Sequence, residues 1–382
     1  MKSETFTKLI IAAAAASLGI PTAMAQSSVT MYGIVDTGVE FLTHANANGD
    51  SLVRVPKITG TIPSRWGIRG REDLGGGYAA VFTLENGFNL GSGSVNQGGR
   101  LFGRQAFVGI ASPYGQFTFG RQYTMTNPVG TDANIMGPAM YAVASTDSYL
   151  PNARTDNTIA YNGTFDGLTV GATYSFARDS GSSEGSGNSP GQGTCVGGVG
   201  AGIGCTAWSA MLKYDRRNAY GVAASYELQH GGKGALANLY NGLPAIDLSH
   251  ASDEDIRING NGYLFVGPVK LGAGWLGRRV LTQTQRVSVD TFYLAARYSI
   301  TPQFDLEGTV FRVINNQMDT RATALAALAA YHLSKRTEVY AQTGYLMNSK
   351  HGQYTISSGG GGSTPGAGME QLGFMLGIRQ NF

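Results

Sequence analysis

The sequence predicts an all-β chain, a sixteen-stranded antiparallel transmembrane β-barrel, and three observations carry that prediction. Apolar and polar side chains alternate with a period of two in segment after segment from residue 29 to the C-terminus. The connections between these segments alternate between short and long. The chain also begins with an export-type leader, and no later segment is an unbroken apolar run of the roughly 20 residues that a spanning helix needs.

The leader comes first. "MKSETFTKLIIAAAAASLGIPTAMA" places Lys2 and Lys8 ahead of an apolar run from Leu9 to Ile20, followed by Ala23-Met24-Ala25. Basic start, short apolar run and A-x-A site predict a secretory signal peptide, residues 1–25, cleaved before Gln26. A barrel domain over 26–382 remains. With 28 Lys+Arg against 25 Asp+Glu, the net charge of +3 gives no reason to expect nucleic acid as a partner. The 56 Gly and 19 Tyr against 12 Pro suit strands and turns.

The strand segments follow in order. "SRWGIRGRED" (64–73) sets Arg65, Gly67, Arg69 and Arg71 on one face and Trp66, Ile68 and Gly70 on the other. "YAAVFTLE" (78–85), "LTVGATYSF" (168–176), "YGVAASYE" (220–227), "VKLGAGW" (269–275), "TFYLAARY" (291–298), "FDLEGTV" (304–310), "EVYAQTGYL" (338–346) and "QLGFMLGIRQNF" (371–382) read the same way. "ATALAALAA" (322–330) has a helix-former composition, and its place between a loop and a turn assigns it to a strand.

Seven short connections carry turn chemistry: 72–77, 112–116, 165–167, 215–219, 266–268, 300–303 and 333–337. Eight longer polar or Gly-rich stretches lie between them, at 44–57, 91–99, 124–156, 179–206, 230–253, 280–288, 315–321 and 348–368. Fifteen connections imply sixteen strands, an even number that closes without an edge. A short helix is expected somewhere in 124–156. A barrel of this size is too wide for side chains to fill, so the arginine face of 64–73 is predicted to line water while Trp66 and Ile68 look outward.

"SSVTMYGIVDTGVEF", "SRWGIRGREDLGGGYAAVFTLENGF", "GRQAFVGIASPYGQFTFGRQY" and the closing "GIRQNF" resemble the Gram-negative general porins, especially the β-proteobacterial type. The resemblance spans 26–382. It implies an outer-membrane homotrimer of barrels with short periplasmic turns and long extracellular loops, passing small hydrophilic solutes and ions. It also implies that the third loop, 124–156, folds inward and narrows the pore. Many porins carry Pro-Glu-Phe-Gly-Gly in that loop; this chain reads "PVGTDANIMGPAMYAVASTDSYLPNARTD" instead.

Fixed charges across a narrow water-filled gap orient dipolar solutes and bias ion choice. Arg65, Arg69 and Arg104 are the expected basic wall, with Arg71 nearer the turn mouth. Asp132 and Asp147 are the replacements available in the third loop, and Asp36 shares lumen parity along with Glu40, Glu85, Glu227 and Glu307. Lys213, Lys270, Arg297 and Arg379 share that parity away from the narrowest point. Weak anion preference or near neutrality is the expected outcome.

Arg121 shares parity with Phe117 and Phe119, which puts a guanidinium on the outer face, where lipid contact is unfavourable. The resemblance implies a trimer-interface latch there, although the second loop, "GSGSVNQGG", has no acid. Bonding to carbonyls or to Asn96 and Gln97 is the other reading. Phe382 is a girdle aromatic by position and, by resemblance, the signal read by the barrel-assembly machinery. Lipid and lipopolysaccharide are the remaining expected partners.

Cys195 and Cys205, the sole cysteines, share one Gly-rich surface loop, 179–206. They predict a disulfide, since two sulfurs without a nearby His make a poor metal site. No cofactor or metal is expected. His332 with Ser334 and His250 with Ser252 have strand-face spacing, but Ser334 falls in a turn, the other pair in a loop, and no third partner is evident. "GGVGAGIG" (197–204) lacks the strand-then-helix setting of a phosphate loop. Asp253-Glu254-Asp255 reads as a solvated strand mouth or a loose cation site. A substrate-specific channel is the alternative function; the scattered lumen aromatics Tyr32, Phe102, Tyr293 and Tyr340 weigh against it.

Overall fold

A computed structural model describes residues 27–179, 190–195 and 203–382. The leader at 1–25 and part of the loop at 179–206 lie outside the described residues.

Sixteen strands form the wall: β1 (Ser28–Leu42), β2 (Arg65–Gly75), β3 (Tyr78–Gly87), β4 (Gln105–Ser112), β5 (Gly115–Tyr123), β6 (Arg154–Phe165), β7 (Leu168–Ser175), β8 (Ala207–Arg216), β9 (Tyr220–His230), β10 (Glu254–Val266), β11 (Val269–Leu281), β12 (Arg286–Thr301), β13 (Phe304–Asn315), β14 (Thr320–His332), β15 (Thr337–Asn348) and β16 (Gln371–Asn381). Each pairs antiparallel with the next. β1 closes the ring by pairing with β2 (Tyr32 opposite Gly67) and with β16 (Ile34 opposite Asn381). Every backbone ladder therefore has a partner, which a spanning sheet requires because lipid offers none. No helix among the described residues is long and apolar enough to cross a membrane.

The seven tight turns lie at one end. Asp166 and Gly167, between β6 and β7, both take positive φ (47° and 83°), the geometry whose twist matches a two-residue hairpin. At the other end loops 1 to 5 and loop 8 are long, spanning 43–64, 88–104, 124–153, 176–206, 231–253 and 349–370. Loops 6 and 7 differ from expectation. Ladder pairing continues to Leu281 opposite Arg286 and to Asn315 opposite Thr320, so only 282–285 and 316–319 remain as loop.

The outer wall is apolar: Met31, Val108, Phe117, Val222, Leu294, Leu325 and Leu376 are all exposed. The inner wall divides into two regions. Along most of β12 to β16 it is apolar and buried, with the Arg297–Glu307 and Arg379–Glu338 pairs nearer the turns. Phe311, Val313, Ala322, Ala324, Ala326, Tyr340, Leu346 and Met375 pack with Met136, Ala139, Met140 and Tyr141 of loop 3 and with Tyr354 and Ile356 of loop 8. This explains the alanine-rich "ATALAALAA" of β14: its inner positions are small because loop 3 lies against them. Along β2 to β5 and β8 to β11 the inner face is polar and charged.

Candidate pore constriction

Loop 3 leaves β5 at Thr124, makes one helical turn, α1 (Thr126–Val129), and two short 3₁₀ turns (Val143–Ser145 and Leu150–Asn152), then rejoins the wall at Arg154. The expected short helix is thus a single turn. Inside the barrel, Met125 N–H donates to Ser209 Oγ, and Asn261 Nδ2 donates to the Val129 carbonyl at 2.9 Å. Gly272 of β11 faces the Ala133 carbonyl so closely that a Cβ there would lie 2.0 Å from its oxygen. Tyr141 fits against Gly344 of β15 and Gly373 of β16 in the same way. Loop 3 therefore approaches the wall where side chains are missing, by its backbone at Ala133 and by a side chain at Tyr141.

Charge pins the loop along the same wall. Asp132 pairs with Lys213 of β8. Asp147 lies 3.3 Å from Arg257 Nε on β10 and 3.7 Å from Arg278 Nη1 on β11, and both arginines also hold Asp255. Tyr149 donates to Glu227, and the Arg257 guanidinium lies 4.1 Å from the centre of its ring. Burial, then the Glu227 carboxylate, push the Tyr149 hydroxyl well above its ordinary range, which keeps it a donor.

The open side of loop 3 faces β2 to β5 across a gap of ≈ 370 Å³. Thr126, Asn127, Gly130, Thr131 and Asn134 form the loop edge; Arg65, Glu85, Arg104, Gln105 and Tyr123 form the wall. Glu85 is the one carboxylate among the described lining residues. Its Oε1 accepts from Arg104 Nε at 2.7 Å, and its Oε2 accepts from the Tyr32 hydroxyl at 3.0 Å and lies 3.6 Å from Arg65 Nε. The Tyr123 hydroxyl accepts from Arg104 Nη2 at 2.6 Å and from Arg154 Nη2 at 2.5 Å. Two guanidinium groups, Arg65 and Arg104, thus flank a single carboxylate, and the Tyr123 phenol sits between Arg104 and Arg154.

Of the expected basic residues, Arg65 and Arg104 come together here. Arg69 does not: it is exposed nearer the turn end, 5.3 Å from the centre of the Tyr32 ring. The expected acids take other positions. Asp132 and Asp147 are turned to the wall behind loop 3. Asp36 is buried, accepting from Thr61 N–H and Oγ, Ile62 N–H and the Tyr340 hydroxyl, so it fastens loop 1 to β1. Glu40 likewise holds Arg54 of loop 1 at 2.6 Å.

Arg121 is buried rather than lipid-facing. A register shift between Gly120 and Gln122 coincides with Gly120 at φ 131°, and the guanidinium donates to the Gly103 carbonyl and to Asp156 at 2.6 Å, within its own chain. Phe382 remains exposed, and its backbone pairs with Gly33 in both directions at 3.0 Å. Cys195 and Cys205 form a disulfide packed against Gly232 and a small apolar cluster with Ala235, Ile246 and Leu248. His332 lies between Asp305 and Glu338, while Ser334 Oγ accepts from Arg336 N–H and Thr337 N–H; no hydrogen bond joins the two. Asp253 accepts from His250 N–H, and Asp255 belongs to the Arg257/Arg278 group.

Arg154, Arg257 and Arg278 were not among the residues singled out by sequence. The last two had a readable signal in the alternation "DIRINGNG" and in lumen parity on β11. Arg154, first residue after a long loop, had none.

A closed sixteen-stranded wall with a loop across its lumen is the architecture at hand, and the model for the Gram-negative porin family matches residues 11–351. The chain belongs to that family. This porin is similar along most of its length to an outer membrane porin protein of Bordetella pertussis, 29% identical over 89% of this chain and 94% of the relative. It is 28% identical to outer membrane porin protein 32 of Delftia acidovorans, over the full length of both. Among solved structures, the anion-selective porin from Comamonas acidovorans superposes with a TM-score of 0.76 at 22% identity, covering 94% of this porin and all of that chain. The fold is therefore that of an outer-membrane porin.

Proposed function

We propose that this porin is a water-filled channel for passive diffusion of small hydrophilic solutes and ions, with weak preference for anions. One observation carries the charge preference: Arg65 and Arg104 line the gap against the single carboxylate of Glu85, while the facing edge of loop 3 is uncharged. A fixed positive surplus beside a narrow aqueous path raises local anion concentration. Asp132 and Asp147, engaged by wall cations, anchor the loop rather than oppose that surplus.

The working unit in this reading is a homotrimer, with the loop end outward and the turn end toward the periplasm. Arg121 braces the foot of loop 2 near the subunit contact. Phe382 serves as the signal for the barrel-assembly machinery, and residues 1–25 direct export. Lipid and lipopolysaccharide surround the trimer.

Swelling of proteoliposomes separates this from a substrate-specific channel. Neutral sugars are expected to enter at rates that fall smoothly with size, and a small sugar acid faster than an amino sugar of equal size. Saturable entry of one solute alone would favour the alternative.

A further inference from the structure

Two cavities lie in series within the lumen. On the loop-end side of the gap a second space, of ≈ 460 Å³, is lined by residues of loops 1, 2, 3, 5 and 8 and by Arg154. Arg65 and Arg104 line the gap and not this outer space. Four residues line both: Pro63 of loop 1 and Pro138, Ala144 and Pro151 of loop 3. Among the described residues no polar side chain is common to the two cavities. A solute that enters from the loop end therefore reaches the charged gap past three prolines and an alanine.

This junction has little with which to replace water around an ion. Proline has no N–H to offer. The Pro138 carbonyl already accepts from the Thr59 hydroxyl at 3.3 Å, and the Pro151 carbonyl from Asn127 Nδ2 at 3.2 Å. The junction is also held in place. Asp36 accepts from the N–H groups of Thr61 and Ile62, just ahead of Pro63, and Met140 N–H donates to the Gly60 carbonyl at 3.0 Å, which ties loop 3 to loop 1 beside Pro138. Cations stand on both sides of it, Arg154 in the outer space and Arg65 and Arg104 in the gap. An anion drawn from one side to the other crosses a stretch where only its own hydration water solvates it. The crossing is hardest for the anion that holds this water in the largest and tightest shell.

We propose that Pro63, Pro138, Ala144 and Pro151 form an apolar neck that ranks permeating anions by ease of dehydration, favouring large, weakly hydrated ones such as thiocyanate over fluoride. The inference rests on the anion preference proposed above and adds a second level to it. The arginines choose the sign of charge; the neck chooses among anions.

The test is the zero-current potential in planar bilayers with potassium chloride on one side and potassium thiocyanate or potassium fluoride, at equal concentration, on the other. Wild type is expected to pass thiocyanate over fluoride at a ratio roughly threefold or more above the ratio of their free mobilities in water. The double variant A144S/P151S, which puts two hydroxyls into the neck, should bring the ratio down toward that of free mobility. The single variant A144S, which adds one oxygen and leaves the prolines in place, should move it in the same direction. R65Q, on the gap side of the neck, should lower chloride permeability against potassium while keeping the thiocyanate-to-fluoride ratio of wild type. Wild-type permeation in the order of mobility alone, serine variants that keep the wild-type ratio, or loss of that ratio in R65Q overturns the proposal. A potassium-selective potential in a potassium chloride gradient would remove the anion reading and the neck with it, whereas a chloride-selective one without the anion ranking removes the neck alone.

Discussion

Arg257 Nε lies 3.3 Å from an Asp147 carboxylate oxygen, a contact that joins the last third of loop 3 to strand β10 on the side away from the gap. The loop's acids thus hold it in place, and the aqueous path is left with Arg65, Arg104 and the single carboxylate of Glu85 on one wall and neutral groups on the other. Replacing Asp147 with Asn removes charge from a mostly buried contact and leaves Asp255 as the one carboxylate in salt-bridge contact with Arg257 and Arg278 among the described residues. A loss of roughly 1–3 kcal/mol in loop docking is expected. Bilayer traces of D147N should flicker more than wild type, which noise analysis of the open state measures.

The lining charge is tested at Arg65, whose guanidinium is 3.6 Å from Glu85 and partly open to the gap. A unit charge about 5 Å from an ion in water is worth about 0.8 kcal/mol, or roughly fourfold in local anion occupancy. R65Q should therefore move the zero-current potential toward the cation side by a corresponding fall in permeability ratio. R69Q, exposed nearer the turn end, should move it less.

Close approach of loop 3 to the wall is tested at Gly272. Any Cβ there meets the Ala133 carbonyl, a backbone atom that cannot rotate away. G272V should displace α1 and the following residues into or out of the gap, changing single-channel conductance without loss of the folded barrel. Conductance equal to wild type would mean that the loop does not rest on β11.

The Cys195–Cys205 disulfide closes a short loop and does not line the gap. Replacing both with Ser should leave conductance and selectivity unchanged while weakening loop 4 locally by about 2–3 kcal/mol. Faster proteolysis within 179–206 is the expected readout.

Strand identity was legible because parity is a local property. "SRWGIRGRED" puts its arginines on one face whatever surrounds it, and β2 has that alternation. Loops 6 and 7 were overestimated because polar residues at a strand mouth, such as Arg286 and Ser288, read as loop while the ladder continues through them. The constriction was only half legible. Arg65 and Arg104 sit on or beside regular strands, where parity fixes direction, but Asp132 and Asp147 belong to an irregular loop whose orientation is decided by distant partners, Lys213, Arg257 and Arg278. Asp36 has lumen parity and is nevertheless buried, since parity cannot show that loop 1 folds over it. Arg121 keeps its parity with Phe117 and Phe119, opposite Ala106, but parity could not show that the Gly103 carbonyl and Asp156 bury its guanidinium; bonding to a carbonyl was one of the two readings.

The most direct test of the central claim, an aqueous path with surplus positive charge at its narrowest point, is the zero-current potential of the wild-type porin in a planar bilayer under a potassium chloride gradient. Open channels in three equal steps with a modest potential of chloride-selective sign are predicted. A bilayer that stays silent, or a potential of potassium-selective sign, would contradict the account.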